Sequence, residues 1–91
     1  MAQFLIERHF GQMTPEQVAA AGSESKRQAA ENFPDITWER SHVMQGPDGL
    51  VTYCVYSAPD EEYVRKHAAA AGLPCDQIQQ IAQTVGPGDF E

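Results

Sequence analysis

The sequence predicts an α+β domain in which two helices cover one face of a four-stranded antiparallel sheet. Two observations lead to this fold class. Apolar and aromatic runs of strand length alternate with stretches that carry helix-start signals, and one tight turn separates two neighbouring runs. The resulting element order is β-α-β-β-α-β. Right-handed crossovers then place the strands in spatial order 4-1-3-2.

The first strand and the first helix are marked by local signals that agree. Residues 3–10 read QFLIERHF, an apolar and aromatic run that a glycine ends. Thr14 is expected to cap the helix, because a proline follows it and Gln17 completes a capping box. The helix is predicted to run to about Asn32, since the next residue precedes a proline and is driven out of the helical region.

Two further strands are predicted in the middle of the chain. Residues 35–44 read DITWERSHVM and residues 50–58 read LVTYCVYSA, and both are rich in β-branched and aromatic side chains. The segment between them, QGPDG at 45–49, contains glycine, proline and aspartate and is typical of a turn. The two strands are therefore predicted to form a hairpin.

The second helix and the last strand complete the pattern. Asp60 and the acids after it mark a helix start, and Gly72 is the expected left-handed residue just past the helix end. Residues 76–85 predict a short fourth strand, although Ile78 and Ile81 are three apart, a spacing that fits a helical turn or a bulge as well. We therefore expect one ferredoxin-like domain for all 91 residues, with a core over residues 3–85 and a tail at 86–91.

The charge balance excludes several classes of partner. The net charge is −7 and the pI is near 4.7. Nucleic acids and anionic membrane surfaces select clustered Lys and Arg, so neither is an expected partner. No apolar run reaches the ~20 residues of a membrane helix, and the first ten residues do not resemble a signal peptide. We therefore expect a cytoplasmic protein, with Cys54 and Cys75 as free thiols.

The third strand predicts a second subunit. It is apolar or aromatic on both of its faces, which indicates burial on both sides of the sheet. The two helices cover only one side. We therefore expect a homodimer that packs through the open face of the sheet.

The hairpin register decides which side chains share that open face. If residues 45–49 form the loop, Met44 pairs with Leu50, and the more aliphatic alternate pairs, such as Val43 with Val51, face the helices. Phe4 and Ile6 form the better helix-facing pair of the first strand. The polar and aromatic side chains then expected on the open face are Glu7, His9, Trp38, Arg40, His42, Cys54 and Tyr56.

Carboxylate, imidazole and thiolate groups on one face can bind a transition metal. Imidazole suits nickel, copper and zinc, and the order of affinities favours nickel and copper over the earlier ions. The spacing matches no established metal motif. The ligands expected for Ni²⁺ are His9, His42, Glu7 and Cys54. No organic cofactor is expected, because the chain carries no cofactor fingerprint.

Structural roles compete with this interpretation. Cys54 can equally be a small buried apolar residue, and Glu7 with Arg40 can form an ion pair across the interface. His9 and His42 can be solvated ends of their strands. His67 lies near the end of the second helix, where a positive charge is favourable.

Two other functions stay open. A small cofactor-independent enzyme of the dimeric α/β-barrel type, similar to monooxygenases or isomerases, would use Tyr56, His42 and Glu7 as its acid–base set. The small residues of the first helix favour close packing on the sheet rather than an enclosed pocket, which weighs against this alternative. The third possibility is an interaction module whose open face only forms a dimer.

Five stretches within residues 3–81 share their order and spacing with one family. They read FLIERHF, TPEQVAAA, ITWERSHV, YCVYSAPDEEYVRKHAAAAGLP and DQI. Together they resemble the small nickel-responsive, nickel-binding proteins, although Ser41-His42 stands where that family more often has serine and an aromatic residue. The resemblance implies a ferredoxin-like homodimer. It also implies binding of divalent nickel by some members, with a proposed role in sequestration.

Overall fold

The predicted element order is confirmed by the computed structural model, which describes Met1–Glu91. The strands are antiparallel and lie in the order β2-β3-β1-β4, which is the predicted order read from the other edge. A short 3-10 turn, Pro87–Asp89, lies within the predicted tail. The elements are β1 (Ala2–Gly11), α1 (Pro15–Asn32), β2 (Thr37–Gly46), β3 (Gly49–Ala58), α2 (Glu61–Ala71) and β4 (Gln77–Gln80).

Both helices begin at the predicted caps. The Thr14 hydroxyl accepts a hydrogen bond from the Gln17 backbone N–H at 3.2 Å, and the Gln17 side chain accepts one from the Thr14 N–H at 2.9 Å. At the start of α2, the Asp60 carboxylate accepts from the Tyr63 N–H at 2.8 Å. Gly72 follows α2 with φ +70°, the left-handed conformation that glycine adopts without a steric penalty.

β4 is shorter than the sequence predicts. It pairs with residues 4–7 of β1, and its Ile78 lies opposite Ile6. The Ile81 N–H still donates to the Gln3 carbonyl at 2.8 Å. The two strands are antiparallel, so residues after Ile81 would have to pair with residues before Gln3, and β1 begins at Ala2. The chain after Ile81 therefore has no strand left to pair with, and the prediction of a strand to residue 85 was wrong.

The β2–β3 hairpin has a tighter turn than predicted. Gly46 pairs with Gly49, so only Pro47 and Asp48 form the loop. This shifts the pairing by one residue, and Ser41 rather than Arg40 lies opposite Cys54. A bulge between Trp38 and Arg40 restores the predicted pairing of Trp38 with Tyr56.

The predicted faces are therefore correct for β1 and for the hairpin end of β2, and wrong for β3. Opposite residues of a sheet share a face, so pairing with Phe4 and Ile6 turns Tyr56 and Cys54 toward the helices. Val55 and its alternate neighbours occupy the open face instead. Val55 is nonetheless only 4 % exposed there, between Leu5 of β1 and Arg40 of β2.

The hydrophobic core lies between the sheet and the helices. The strands contribute Phe4, Ile6, Cys54, Tyr56 and Ala58, and they contact Val64 of α2 and Ile36 from the α1–β2 connection. None of the helices combines the length and the apolar character that are needed to cross a membrane.

Candidate functional site

The first candidate site is a pair of side chains on the open face of β1. Glu7 and His9 are two residues apart on one strand, so both point to the same side of the sheet. The Nε2–H of His9 donates to Glu7 Oε2 at 2.6 Å, and both side chains are partly exposed. The hydrogen bond to Glu7 raises the pKa of His9 above its ordinary value, and desolvation opposes this effect. An imidazole nitrogen and a carboxylate oxygen thus lie side by side at the surface.

Asp76 brings a second carboxylate to this pair. Its Oδ2 accepts a hydrogen bond from the backbone N–H of His9 at 2.7 Å, and its charge further raises the pKa of the His9 imidazole. The residue lies just before β4, the edge strand next to β1. Sequence reasoning missed Asp76, because its contact with His9 joins residues that are 67 positions apart in the chain.

His42 shares the open face but does not reach the pair. Tyr53 of β3 lies opposite both Glu7 and His42 and separates them. Two interstrand spacings put Glu7 and His42 about 10 Å apart at the backbone. The structure contains no group of three or more His, Cys, Asp or Glu side chains that could hold a metal ion within one subunit.

Cys54 does not belong to this face. It is 5 % exposed, lies on the helix side of the sheet, and its Sγ is 3.5 Å from the Thr52 hydroxyl. The four predicted ligands therefore do not come together in one subunit, because the actual hairpin register turns Cys54 away from the other three. Cys54 and the half-buried Cys75 are both free thiols.

The predicted acid–base set is also divided between the two faces. Tyr56 faces the helices, where its hydroxyl lies 3.0 Å from the Ser25 hydroxyl of α1. Glu7 and His42 lie on the opposite side of the sheet. The geometry therefore does not assemble Tyr56, His42 and Glu7 into one site.

A cavity of about 160 Å³ lies on the helix side of the sheet, between α1 and strands β1 to β3. Ala21, Gly22 and Ser25 of α1 form part of its wall, so these small residues leave a space over the sheet. The expectation that they bring α1 close to the sheet was therefore wrong. Most of the remaining lining is apolar, and the Trp38 indole N–H donates to the Ser41 hydroxyl at 2.8 Å beside it.

Arg8 is the charged residue that lines this cavity. Its side chain is 1 % exposed, and its Nη1 donates to the Pro74 carbonyl at 2.8 Å. Its Nη2 has no hydrogen-bond partner, and its guanidinium carbon lies 5.6 Å from the centre of the Tyr56 ring. Sequence reasoning gave Arg8 no role, although it is in phase with Phe4 and Ile6 on the buried side of β1.

His67 is a second buried polar residue that sequence reasoning placed wrongly. It is fully buried, and its Nε2–H donates to the Ser25 carbonyl at 2.9 Å. Its Nδ1 has no partner. Burial lowers the pKa of His67, the hydrogen bond to Ser25 opposes that effect, and the charge of Arg8 lowers it further. His67 is therefore a neutral core residue and not a solvated cation at a helix end.

The fold, with its open sheet face and two terminally capped helices, defines a small ferredoxin-like α+β protein. The model of the family described as "nickel responsive protein SCO4226-like" matches residues 4–81, and the chain belongs to this family. This confirms the resemblance seen in the sequence.

One solved structure supports the same fold. The crystal structure of SCO4226 from Streptomyces coelicolor A3(2) is similar with a TM-score of 0.74 and 20 % sequence identity. The match covers 92 % of this chain and all of that one, and at this identity it shows the fold alone. No curated protein matches the chain.

Proposed function

We propose that the protein is a small cytoplasmic homodimer that binds divalent nickel and takes part in nickel sequestration or homeostasis. The observation that carries this proposal is the contact between Glu7 and His9 on the open sheet face of a member of a nickel-responsive family. Neutral imidazole is a good ligand for nickel, and the adjacent carboxylate can supply an oxygen ligand. His42, on the same face, is the third proposed ligand.

A second copy of the chain completes this proposed site. One subunit offers two adjacent donors at Glu7 and His9, which is fewer than a tightly held transition metal requires. Sheet-to-sheet packing would place the Glu7, His9 and His42 side chains of two subunits in one interface. We therefore propose that the metal lies between subunits rather than within one.

The apolar character of the open face supports the dimer. Leu5 is 38 % exposed and Met44 is 53 % exposed, and they lie on either side of β3 with its partly exposed Val51 and Tyr53. Apolar side chains in the middle of an otherwise polar surface favour burial against a second molecule. Sedimentation equilibrium at micromolar concentration should give twice the monomer mass, and Leu5→Glu should give the monomer.

Nickel titration of the tag-free protein by calorimetry tests the metal proposal. We expect micromolar affinity at pH 7.5, roughly −8 kcal/mol, with no comparable magnesium binding. At pH 5.5 the affinity should fall strongly, because protonated imidazole does not bind metal and the pKa of His9 is raised.

Variants distinguish the ligands from other residues. His9→Ala and His42→Ala should each weaken nickel binding and leave the dimer intact. Cys54→Ala is the matched control and should leave nickel affinity unchanged, because Cys54 lies on the other face. If the folded wild-type dimer binds no nickel, the metal proposal is wrong for this member of the family.

A further inference from the structure

Arg8 carries a positive charge that no carboxylate neutralises. The ion pairs of the protein join His9 to Glu7 and otherwise lie along the exposed sides of the two helices, and none includes Arg8. A guanidinium group keeps its charge at all physiological pH values. Burying a charge without a partner is costly, and natural proteins normally pair such groups or bind a counter-ion there. The chain therefore supplies no counter-ion of its own to the buried Arg8 guanidinium.

The cavity beside Arg8 has the chemistry of a small ligand site. It contains about 160 Å³, which is close to the ~150 Å³ of an engineered apolar cavity that holds benzene. Its walls include Val18, Leu50 and the ring of Tyr56. No Asp or Glu lines it, although the whole protein carries a net charge of −7. The local environment is thus apolar with a single cation.

We propose that this cavity binds a small apolar carboxylate, similar in size to benzoate, with its carboxylate on Arg8. The guanidinium group pairs with carboxylates in a forked geometry, and its buried Nη2 has no hydrogen-bond partner within the chain. The apolar part of the ligand lies against the side chains of α1 and β3. The single cation matches a monoanion, whereas a phosphate ester carries more charge and would need additional donors.

This site is independent of the proposed nickel site. Arg8 faces the helices, while Glu7 and His9, its two neighbours in the chain, face the open side of the sheet. Nickel therefore should not change the affinity of the cavity for the carboxylate. This separation makes failure of one proposal distinguishable from failure of the other.

Trp38 provides a direct readout, since it is the only tryptophan of the chain and it lines the cavity. We expect benzoate to change its fluorescence in a saturable way and to raise the melting temperature. Benzamide has nearly the same shape and no charge, and should bind at least about tenfold more weakly, because a hydrogen bond to a charged partner is the stronger one. Chloride at equal ionic strength should not displace benzoate.

Two variants test the roles of the charge and of the space. Arg8→Met removes the unpaired charge at similar volume and should abolish the preference for benzoate over benzamide. Gly22→Leu adds a side chain where no atom lies within 4 Å of the added Cβ, and should block both ligands. Arg65→Met, at an exposed arginine that pairs with Glu61, is the matched control and should bind benzoate like the wild type.

Three results would overturn the proposal. The first is a folded wild-type protein that binds no benzoate at millimolar concentration. The second is equal binding of benzoate and benzamide, which would make the cavity a neutral apolar site. The third is displacement of benzoate by chloride at equal ionic strength, which would mean that Arg8 binds any small anion. If Arg8→Met does not fold, the benzamide comparison and Gly22→Leu still decide the question.

Discussion

The Nε2–H of His67 donates to the backbone carbonyl of Ser25 at 2.9 Å and so joins the middle of α2 to the middle of α1. This contact fixes the tautomer of the ring, because the nitrogen that faces a carbonyl must carry the proton. His67 is fully buried between the rings of Phe33 and Tyr56, whose centroids lie 5.6 Å and 5.5 Å from its own. The core is therefore built around a neutral imidazole.

We predict that stability falls as the solution is acidified, in part because of His67. Its folded-state pKa is lowered, so the unfolded chain binds more protons near pH 6 than the native state does. The free energy of unfolding should therefore be largest above pH 6.5 and fall progressively below that value. Urea unfolding at pH 7.5 and at pH 5.5 measures this effect. His67→Gln keeps a donor for Ser25 without a titrating group, and should reduce the difference between the two pH values.

His9 is predicted to act in the opposite direction. Its pKa is raised, first by the hydrogen bond to Glu7 and then by the charges of Asp76 and Glu7, so its protonated form is favoured in the native state. Its contribution to stability is present below pH 6.5 and lost as the pH rises through the folded-state pKa. An NMR titration should show the pKa of His9 moving down toward 6.5 in Glu7→Gln, and moving less in Asp76→Asn. An unchanged pKa in Glu7→Gln would exclude the hydrogen bond as its main cause.

The ends of the helices could be predicted because their signals are local. Thr14 and Gln17 are three residues apart and satisfy each other's backbone and side-chain groups without help from the rest of the chain. Gly72 is likewise recognisable, since few other residues adopt the left-handed conformation. These features depend on short stretches of sequence, and the structure agrees with each.

The hairpin register could not be predicted in the same way. A segment with Gly46, Pro47, Asp48 and Gly49 is compatible with loops of two or of five residues, and the choice moves every pair by one position. β3 does not resolve the choice, because its two faces are almost equally apolar. At the far end of the hairpin, the bulge near Trp38 shifts the pairing back by one residue, so Trp38 lies opposite Tyr56 as the five-residue loop would also predict.

The residues of the candidate sites also divide into those that local sequence patterns predict and those that only long-range contacts place. Glu7 and His9 follow from strand alternation alone, and their contact agrees with the predicted shared face. Asp76 and His67 are placed by contacts with residues more than forty positions away in the chain, and no local pattern indicates such contacts. Arg8 was accessible to sequence reasoning, because a charged residue in phase with two core residues is unusual.

Two glycines are predicted to respond to alanine in opposite ways. Gly49 has φ +117°, and a Cβ there would overlap the backbone of Gly11. Gly49→Ala should therefore lower the free energy of unfolding by about 2 kcal/mol or more. Gly22 is helical with free space around it, so Gly22→Ala should raise the free energy of unfolding by about 1 kcal/mol. Chemical denaturation of both variants under the same conditions measures the contrast, and equal effects would contradict it.

The last prediction concerns the reactivity of the two thiols. Alkylation requires a thiolate that the reagent can reach, and Cys54 is 5 % exposed beneath the helices whereas Cys75 is half-buried in the loop before β4. In the native protein one thiol per chain should therefore react quickly, and mass spectrometry should locate it at Cys75. Cys75→Ser should remove the fast phase and leave the slow one, while both thiols should react quickly in urea.

Nickel should not alter the slow phase, because Cys54 lies on the opposite side of the sheet from Glu7, His9 and His42. Protection of Cys54 by nickel at a concentration that leaves stability unchanged would restore Cys54 as a ligand and contradict the register described above.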